Sequence, residues 1–532
     1  MPSQVDPSTL RIVGFMDIGS NSVRLLLVRI NANQTYTILT EQREVVRLGE
    51  TVFVDGLLHP AAIRRAVAAC ADFASLAKAR GASEVIALAT SAAREATNQA
   101  EFLRAVKRST DLDVRTISGK EEARLIYMGT STEARSGDTQ ALFMDIGGGS
   151  TELAVGNQKT YEYLDSLRLG AIRLSAMFKL EGTSAISAKQ YERVKDHVRD
   201  VAAPSIKRLR QFDVSQFVGS SGTIENLADI VYRVIYDRKR EREDVMRYPD
   251  MKRIIGMLRS MRLEERRRAP GINPERADII LGGAAIVDVF MDELDLGEIK
   301  PTDRGMRDGL LFDYLANSDQ GSLYAGLSVR ERSVFQLARS CGSDEVHTRV
   351  VARLAVELFD SAKKLGLHKL EAEERNLLEF AALLHDVGVF LSYDNQQEHA
   401  WYLISSADLL GFNRTEIAIM AALAFFSRKG LPKRGNPKLA GLDEAAKRTV
   451  RTLTAFLRIA DSLDRSRLGN VQHARLVKGR DGLVLVIRAD GDISGNLWGV
   501  RYNHLAVENL LGHRLSVKVS STGESKAESF NP

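Results

Sequence analysis

The 532 residues are 44% hydrophobic and 27% charged, the ordinary balance of a soluble protein, and they exceed what one core supports, so three or four domains are expected. No apolar run is long enough to cross a bilayer, and the start MPSQVDPSTLRIVGF lacks a basic flank and signal core, so a cytoplasmic location is expected. Cys70 and Cys341 stand alone, without CxxC or Cys/His clusters, which argues against a disulfide framework and a cysteine metal site; the net charge of +5 is informative only through its distribution.

In chain order, residues 11 to 40 read as two or three strands: RIVGFMDIG, a turn at Ser20-Asn21-Ser22, VRLLLVRI and TYTILTEQ. The periodicity of HPAAIRRAVAACADFASLAKARG predicts a helix closed by Gly81, followed by a strand EVIALAT and a helix from about Ala92. A second mixed α/β domain begins near Gln140 with ALFMDIGG and TELAVGN and continues through helices to about Asn317. ANSDQGSLYAG reads as a linker, and residues 329 to 467 are helix-patterned almost throughout. RLVKGRDGLVLVIRAD has the alternation of a hairpin in a small terminal α/β unit, and SSTGESKAESFNP reads as a disordered tail. The expected division is 1–133, 134–316, 317–467 and 468–532.

FMDIGSNSVRLLLV at Phe15 and FMDIGGGSTELAV at Phe143 write one unit twice. Each copy ends an apolar strand in Asp, Asp17 or Asp145, follows it with Gly and small hydroxyl or amide residues, and enters a second strand. Such turns bring backbone N–H groups close to an anion, and the Asp suits a hydrated divalent cation beside phosphate oxygens. Two of them face to face would make a phosphate clamp. Arg24 and Arg94, in ATSAAREA, are candidates for guanidinium contacts to phosphate. VGSSGTIENLAD supplies a third Gly-rich turn at a helix start, a further anion or nucleotide site. In ISGKEEARLIYMG, Ser118 and Glu121 have capping-box spacing, which leaves Glu122 as the carboxylate to activate water for in-line attack on a terminal phosphorus. No GxxxxGK[ST] P-loop is present.

The ordered set DIGSNSVRLLL, ATSAAREA, ISGKEEARL, MDIGGGSTEL and GSSGTIENLAD, with PERADIILGGAAI and RGMRDGLL more loosely, resembles the exopolyphosphatase/guanosine pentaphosphate phosphohydrolase (Ppx/GppA) family over about residues 11 to 315. The resemblance implies an α/β fold of two ribonuclease H-like domains of the actin, sugar kinase and heat-shock chaperone superfamily around a cleft. Glu122 then looks like the catalytic base, and Asp145 and Glu152, with Asp17, like metal-associated carboxylates. Asn21, Ser22, Arg94, Gly147, Gly148, Gly149, Ser150 and Arg276 look placed to hold phosphates. ILGGAAI departs from the family, which commonly has Pro before the Gly; a packing variation is expected. Implied cofactors are Mg²⁺, with Mn²⁺ and a monovalent cation as further candidates, and the implied assembly is a homodimer.

The helical region resembles the all-α HD-type domain of longer family members. His347, His385, Asp386 and Asp461 have the order of an HD metal site, and His399 matches another histidine of that pattern. Ser427 stands where the family often has an imidazole, which implies a degenerate site on a polymer-guiding scaffold. From Arg428 to Arg480 there are 14 Lys or Arg against four acids, whereas Arg233 to Arg268 holds 13 against 7 and reads as a solvated, ion-paired face. Arg428, Lys429, Lys433, Arg434 and Lys438 form the expected polyphosphate track, since a cationic row suits a linear polyanion. Nucleic acid would satisfy the same electrostatics, but no recognition motif or aromatic stacking pattern accompanies the charge, and neither nucleic acid nor membrane is an expected partner. The expected activity is processive, Mg²⁺-dependent exopolyphosphatase; alternatives are guanosine pentaphosphate (pppGpp) phosphohydrolase, an ATP-binding switch and a sugar or acid kinase.

Overall fold

The computed structural model describes residues 11–31, 35–134, 139–180, 182, 184–317, 327–433, 435–520 and 525–526, and the chain separates into two compact units, Met1–Val329 and Arg330–Pro532. In the first unit, the early apolar runs form an antiparallel meander, β1 (Arg11–Ile18), β2 (Ser22–Ile30) and β3 (Tyr36–Val45), to which β4 (Glu84–Ala89) and β5 (Val114–Thr116) add in parallel, giving the order β3-β2-β1-β4-β5. Between them lie α1 (Val52–Asp55), α2 (Pro60–Ala79), α3 (Ser91–Glu95) and α4 (Gln99–Thr110), followed by α5 (Gly119–Thr130). The helix expected from about Ala92 is thus two helices, because the chain turns extended at Ala96.

The second lobe repeats the meander with β6 (Gln140–Ile146), β7 (Thr151–Gly156) and β8 (Tyr161–Leu167), extended by β9 (Val214–Ser220), β10 (Met246–Arg247) and β11 (Glu298–Pro301) in the order β10-β11-β9-β6-β7-β8. β9 runs parallel to β6 and β11 parallel to β9, as β4 and β5 do beside β1. Its helices are α6 (Ala171–Phe178), α7 (Ala188–Leu209), α8 (Gly222–Val234), α9 (Tyr248–Ser260), α10 (Leu263–Arg266), α11 (Ile280–Glu293) and α12 (Met306–Ala316). α12 returns to the first lobe, where Met306, Leu310 and Leu311 pack with Phe15 and Leu26. Leu281, at the position commonly Pro in the family, is buried in the second lobe's core.

The repeated pentamer explains how the lobes face one another. Strand alternation sends Met16 and Ile18 to the first lobe's outer core and Met144 and Ile146 to the second's. Phe15 and Phe143 point the other way, and each meets the α5/α12 layer: Phe15 beside Leu125 and Ile126, Phe143 edge-on to Tyr127 with ring centroids 5.5 Å apart. Asp17 and Asp145, two residues on from each Phe, share that inward face.

The second unit holds α13 (Val329–Ser340), which begins at the unit boundary, α14 (Glu345–Lys364), α15 (Ala372–Leu384), α16 (Gln396–Ser406), α17 (Arg414–Phe426) and α18 (Glu444–Leu463). A four-stranded sheet follows, β12 (Val471–Lys478), β13 (Leu483–Ala489), β14 (Leu515–Ser520) and β15 (Ser525–Lys526), with α19 (Ser494–Leu511) before its last two strands. The tail read as disordered therefore contains a short strand: Ser525 and Lys526 pair with β14, and its other residues from Ser521 onward lie outside the described residues. Among the described residues no helix is long and apolar enough to cross a membrane, and both cysteines are buried and free.

The Arg233–Arg268 run carries ion pairs such as Arg238–Asp244 at 2.6 Å and Arg240–Asp229 at 2.9 Å. Arg266 departs from the expected solvated face. It is fully buried, and its guanidinium donates to the carbonyls of Leu258, Met261 and Ala277.

Candidate active site

Cross-strand register lays out two rows of polar side chains. Asp17, Arg24 and Arg43 stand opposite one another on β1, β2 and β3; Ser220, Asp145, Glu152 and Ser166 do so on β9, β6, β7 and β8. The two turns close alike, Gly19 N donating to Ser22 O at 3.1 Å and Gly147 N to Ser150 O at 2.9 Å. Between the rows lies a cleft of about 110 Å³, lined by Asp17, Asn21, Ser22, Arg24, Glu122, Asp145, Gly147, Gly148, Ser150 and Arg276 among others. That space admits a phosphoryl group with an attacking water.

Glu122 rises from the first turn of α5, whose N-cap Ser118 accepts from Glu121 N at 3.2 Å. The return half of the expected capping box is absent: the Glu121 carboxylate instead takes Arg115 Nη1 at 2.7 Å. Glu122 is 7% exposed, and burial pushes its carboxyl up to about 7 against the pull of Arg94, with Asp17 and Asp145 adding to the rise. Burial also raises Asp17, Asp145 and Glu152. Ser220 Oγ donates to Asp145, and Ser166 Oγ donates to Glu152 at 2.8 Å.

Three predicted contacts sit differently. Arg94 does not line the cleft: its Nη1 donates to Glu122 Oε2 and to Ile117 O, both at 2.9 Å, so it holds the carboxylate from behind. Gly149 turns away as well. A Cβ there would lie 2.0 Å from Phe53 Cζ, and its carbonyl accepts from Arg173 Nε at 2.7 Å. Glu152 is almost fully buried beside Asp145 and is not a lining residue.

The third Gly-rich turn enters the cleft at the start of α8. Ser221 adopts φ 95°, a conformation L-residues rarely hold, and its side chain accepts from Thr223 N at 3.2 Å. Gly222 lets the Arg276 guanidinium lie against the start of α8: a Cβ there would fall 2.1 Å from it and displace that side chain. Burial, then Arg43 and Arg24, push Arg276 down to about 10, which marks a crowd of cations with few facing anions. Asn21 Nδ2 is buried without a partner.

The sequence reading missed Ser20, Ser91, Arg43, Glu225 and the loop Asp303–Asp308. Ser20 and Ser91 hydroxyls are 2.8 Å apart at the cleft wall, and Glu225, pushed up to about 7 by burial, comes from α8. Asp308 Oδ2 accepts from Gly305 N at 3.0 Å, and its carboxyl is also raised by burial. The Arg and Asp of RGMRDGLL were a readable signal; Arg43 does not line the cleft but stands beside Arg24 through strand register, where its charge acts on Arg276.

In the second unit, His347, His385 and Asp386 offer ligand atoms within 4.8 Å of one another. His385 Nε2 lies 3.4 Å from Asp386 and 3.3 Å from Asp461, and His347 Nε2 lies 3.8 Å from each. Asp464, not foreseen, fixes the His347 ring through Nδ1 at 2.7 Å. His399 is outside that group, and Ser427 Oγ donates to Ala424 O. Arg428, expected on the track, turns into this cluster, donating to Asp386 Oδ1 at 2.8 Å and lying 3.5 Å from Asp461; Arg467 donates to Asp386 as well. Lys438 is also engaged, 2.6 Å from Glu398 and 3.7 Å above the Trp401 ring. Lys429 and Lys433 are exposed, and Arg434 lies outside the described residues.

Residues 26–318 match the model of the Ppx/GppA phosphatase family, and residues 329–491 match the model of Ppx/GppA phosphatase, domain III. A curated relative from Aeromonas hydrophila subsp. hydrophila, Guanosine-5'-triphosphate,3'-diphosphate pyrophosphatase, is 28% identical over 477 residues, 89% of this chain and 91% of that protein. The solved structure of an exopolyphosphatase from Cytophaga hutchinsonii is similar with TM-score 0.54 at 24% identity, covering 58% of this chain and 100% of that one. That of an exopolyphosphatase-like protein is similar with TM-score 0.52 at 22% identity, covering 57% and 98%. These two likenesses support the paired α/β fold. Since the first family model spans more than half of the sequence, including Glu122 and the second turn, the chain belongs to the Ppx/GppA phosphatase family.

Proposed function

We propose that this phosphatase is an exopolyphosphatase, which hydrolyses the terminal phosphoanhydride of inorganic polyphosphate and releases orthophosphate processively. The observation that carries the reading is the buried Glu122 carboxyl, locked by Arg94 and pushed up to about 7, in a cleft of about 110 Å³ between twin turns. The turn amides, Asn21, Ser22, Ser150, Arg24 and Arg276 hold the terminal phosphate, while Glu122 takes a proton from the water that attacks phosphorus. The phosphorus–bridging oxygen bond breaks and the shortened chain leaves. Asp17 and Asp145 both line the cleft as half-buried carboxylates with raised affinity for protons, a donor set that fits Mg²⁺, and Glu152 supports Asp145 from the neighbouring strand. Bound there, Mg²⁺ would neutralise charge on phosphate oxygens. Mn²⁺, a monovalent cation, a homodimeric assembly and a cytoplasmic location belong to the same proposal.

The test is orthophosphate release from long-chain polyphosphate, with and without Mg²⁺, by wild type and Glu122→Gln. Loss of about 100-fold or more in kcat is expected, on the order of a general base's contribution; full turnover in a folded variant would remove the assignment. A second reading is pppGpp hydrolysis in the same cleft, favoured by the name of the Aeromonas relative matched over 89% of this chain. Direct competition between the two substrates at equal concentration decides between them.

A further inference from the structure

Behind the cleft, within the same unit, lies a second and larger cavity that no step above uses. It measures about 770 Å³, within the range of small-molecule sites, and is lined by Phe53, Arg94, Lys120, Ser166, Arg168 and Arg173 among others. The two spaces share Ser150 and are separated by one layer of side chains: Arg94 belongs to the rear cavity and holds Glu122 of the front one at 2.9 Å. Gly119 lets the start of α5 approach β8 in the wall of the rear cavity, where a Cβ would fall 2.4 Å from Ser166 Oγ. Four cations line this rear space against Glu95 and Asp165, and both acids are already engaged. Glu95 lies 2.6 Å from Arg173 and 3.8 Å from Arg168; Asp165 accepts from Tyr163 and Ser205 hydroxyls. Arg94 and Arg173 are thus held by Glu122 and Glu95, and Lys120 and Arg168 at the rim are the cations open to an anion.

The geometry points to this cavity as an orthophosphate-binding exit port. The inference rests on the processive reading above. In-line attack puts the water opposite the leaving oxygen, so the freed phosphate lies between the shortened polymer and the Glu122 wall. A polymer that stays bound blocks the front opening, and orthophosphate then leaves by the rear, past Arg94 and Ser166. Water enters by the same way. Atoms balance without another reactant: the water oxygen becomes the fourth phosphate oxygen, one of its protons passes to Glu122 and the other stays on orthophosphate, and the bridging oxygen leaves on the shortened chain with the bonding pair.

The experiment uses the full chain and a Lys120→Glu/Arg168→Glu variant, with Arg168→Gln alone as the milder control, since the Arg168 side chain is 79% exposed. Two readouts are taken: the rise in melting temperature caused by orthophosphate, and the inhibition constant of orthophosphate against polyphosphate hydrolysis. The double variant is expected to lose the thermal response and raise the inhibition constant at least 10-fold, and Arg168→Gln to move both in the same direction. The initial-rate KM for polyphosphate should stay within 2-fold. An unchanged inhibition constant and thermal response would overturn the port. A polyphosphate KM that rises in step would also overturn it and make the cavity a polymer site. The melting arm requires no turnover, so a protein that binds orthophosphate here yet hydrolyses no polyphosphate would sink the proposed activity and not the anion site.

Discussion

Burial places the Glu122 carboxyl up to about 7, so the ionised form that accepts a proton prevails only above neutrality. Phosphate release is expected to climb through an apparent pKa near 7 to an alkaline plateau, read as the pH profile of kcat/KM. Arg94 is the group pulling that value down, and Arg94→Ala should displace the rising limb to higher pH by about a unit; an unmoved limb would mean Arg94 does not position the base. Stability runs the other way. An acid whose folded pKa is raised contributes most below its unfolded value and loses that contribution as pH rises through the folded one. For Glu122 the window is 4.5 to about 7, on the order of 3 kcal/mol. The first unit should melt at lower temperature at pH 8 than at pH 5, and Glu122→Gln should flatten part of that slope.

Which elements hold the site is decided by glycine. α5 and α12 cross backbone to backbone: a Cβ on Gly309 would lie 1.7 Å from Leu125 O, and one on Gly129 would lie 2.1 Å from Gly305 O. α5 carries Glu122, and the N-terminal turn of α12 carries Arg307 and Asp308 at the cleft. Gly309→Ala should destabilise by about 2 kcal/mol through overpacking and reduce kcat about 100-fold by displacing the base. Gly256→Ala in α9, with nothing within 4 Å of its Cβ, is the control and should be neutral or stabilising. Melting curves and single-turnover rates on both variants check the pair. Near-equal behaviour would show that the crossing does not set the position of Glu122. The glycines in RGMRDGLL and IYMG were visible, but what each one lets approach was not.

At the scale of the whole molecule, the basic segment after α17 divides into cations that serve the fold and cations left exposed. Arg428 and Lys438 satisfy Asp386, Asp461 and Glu398, whereas Lys429 and Lys433 face solvent. If the exposed pair guides polymer, Lys429→Glu/Lys433→Glu should raise KM for long polyphosphate several-fold, more at low salt than at high. It should leave pppGpp hydrolysis nearly unchanged; equal losses on both substrates would count against a polymer track.

The sequence by itself determined the duplicated strand–turn–strand, the Asp that closes each first strand, and the helix that bears Glu122, because alternation, turn chemistry and capping act within a few residues. Tertiary structure decided which side of each motif faces the cleft. Gly149 and Arg94 lie in the right motifs yet point behind the site, and Glu225 and Asp308 come to it from α8 and from the start of α12. It also decided which cations are spoken for, since Arg428 is neutralised by Asp386 from the turn after α15 and by Asp461 of α18. Charge along the chain is local information, and the partner that cancels it is set by packing between distant segments.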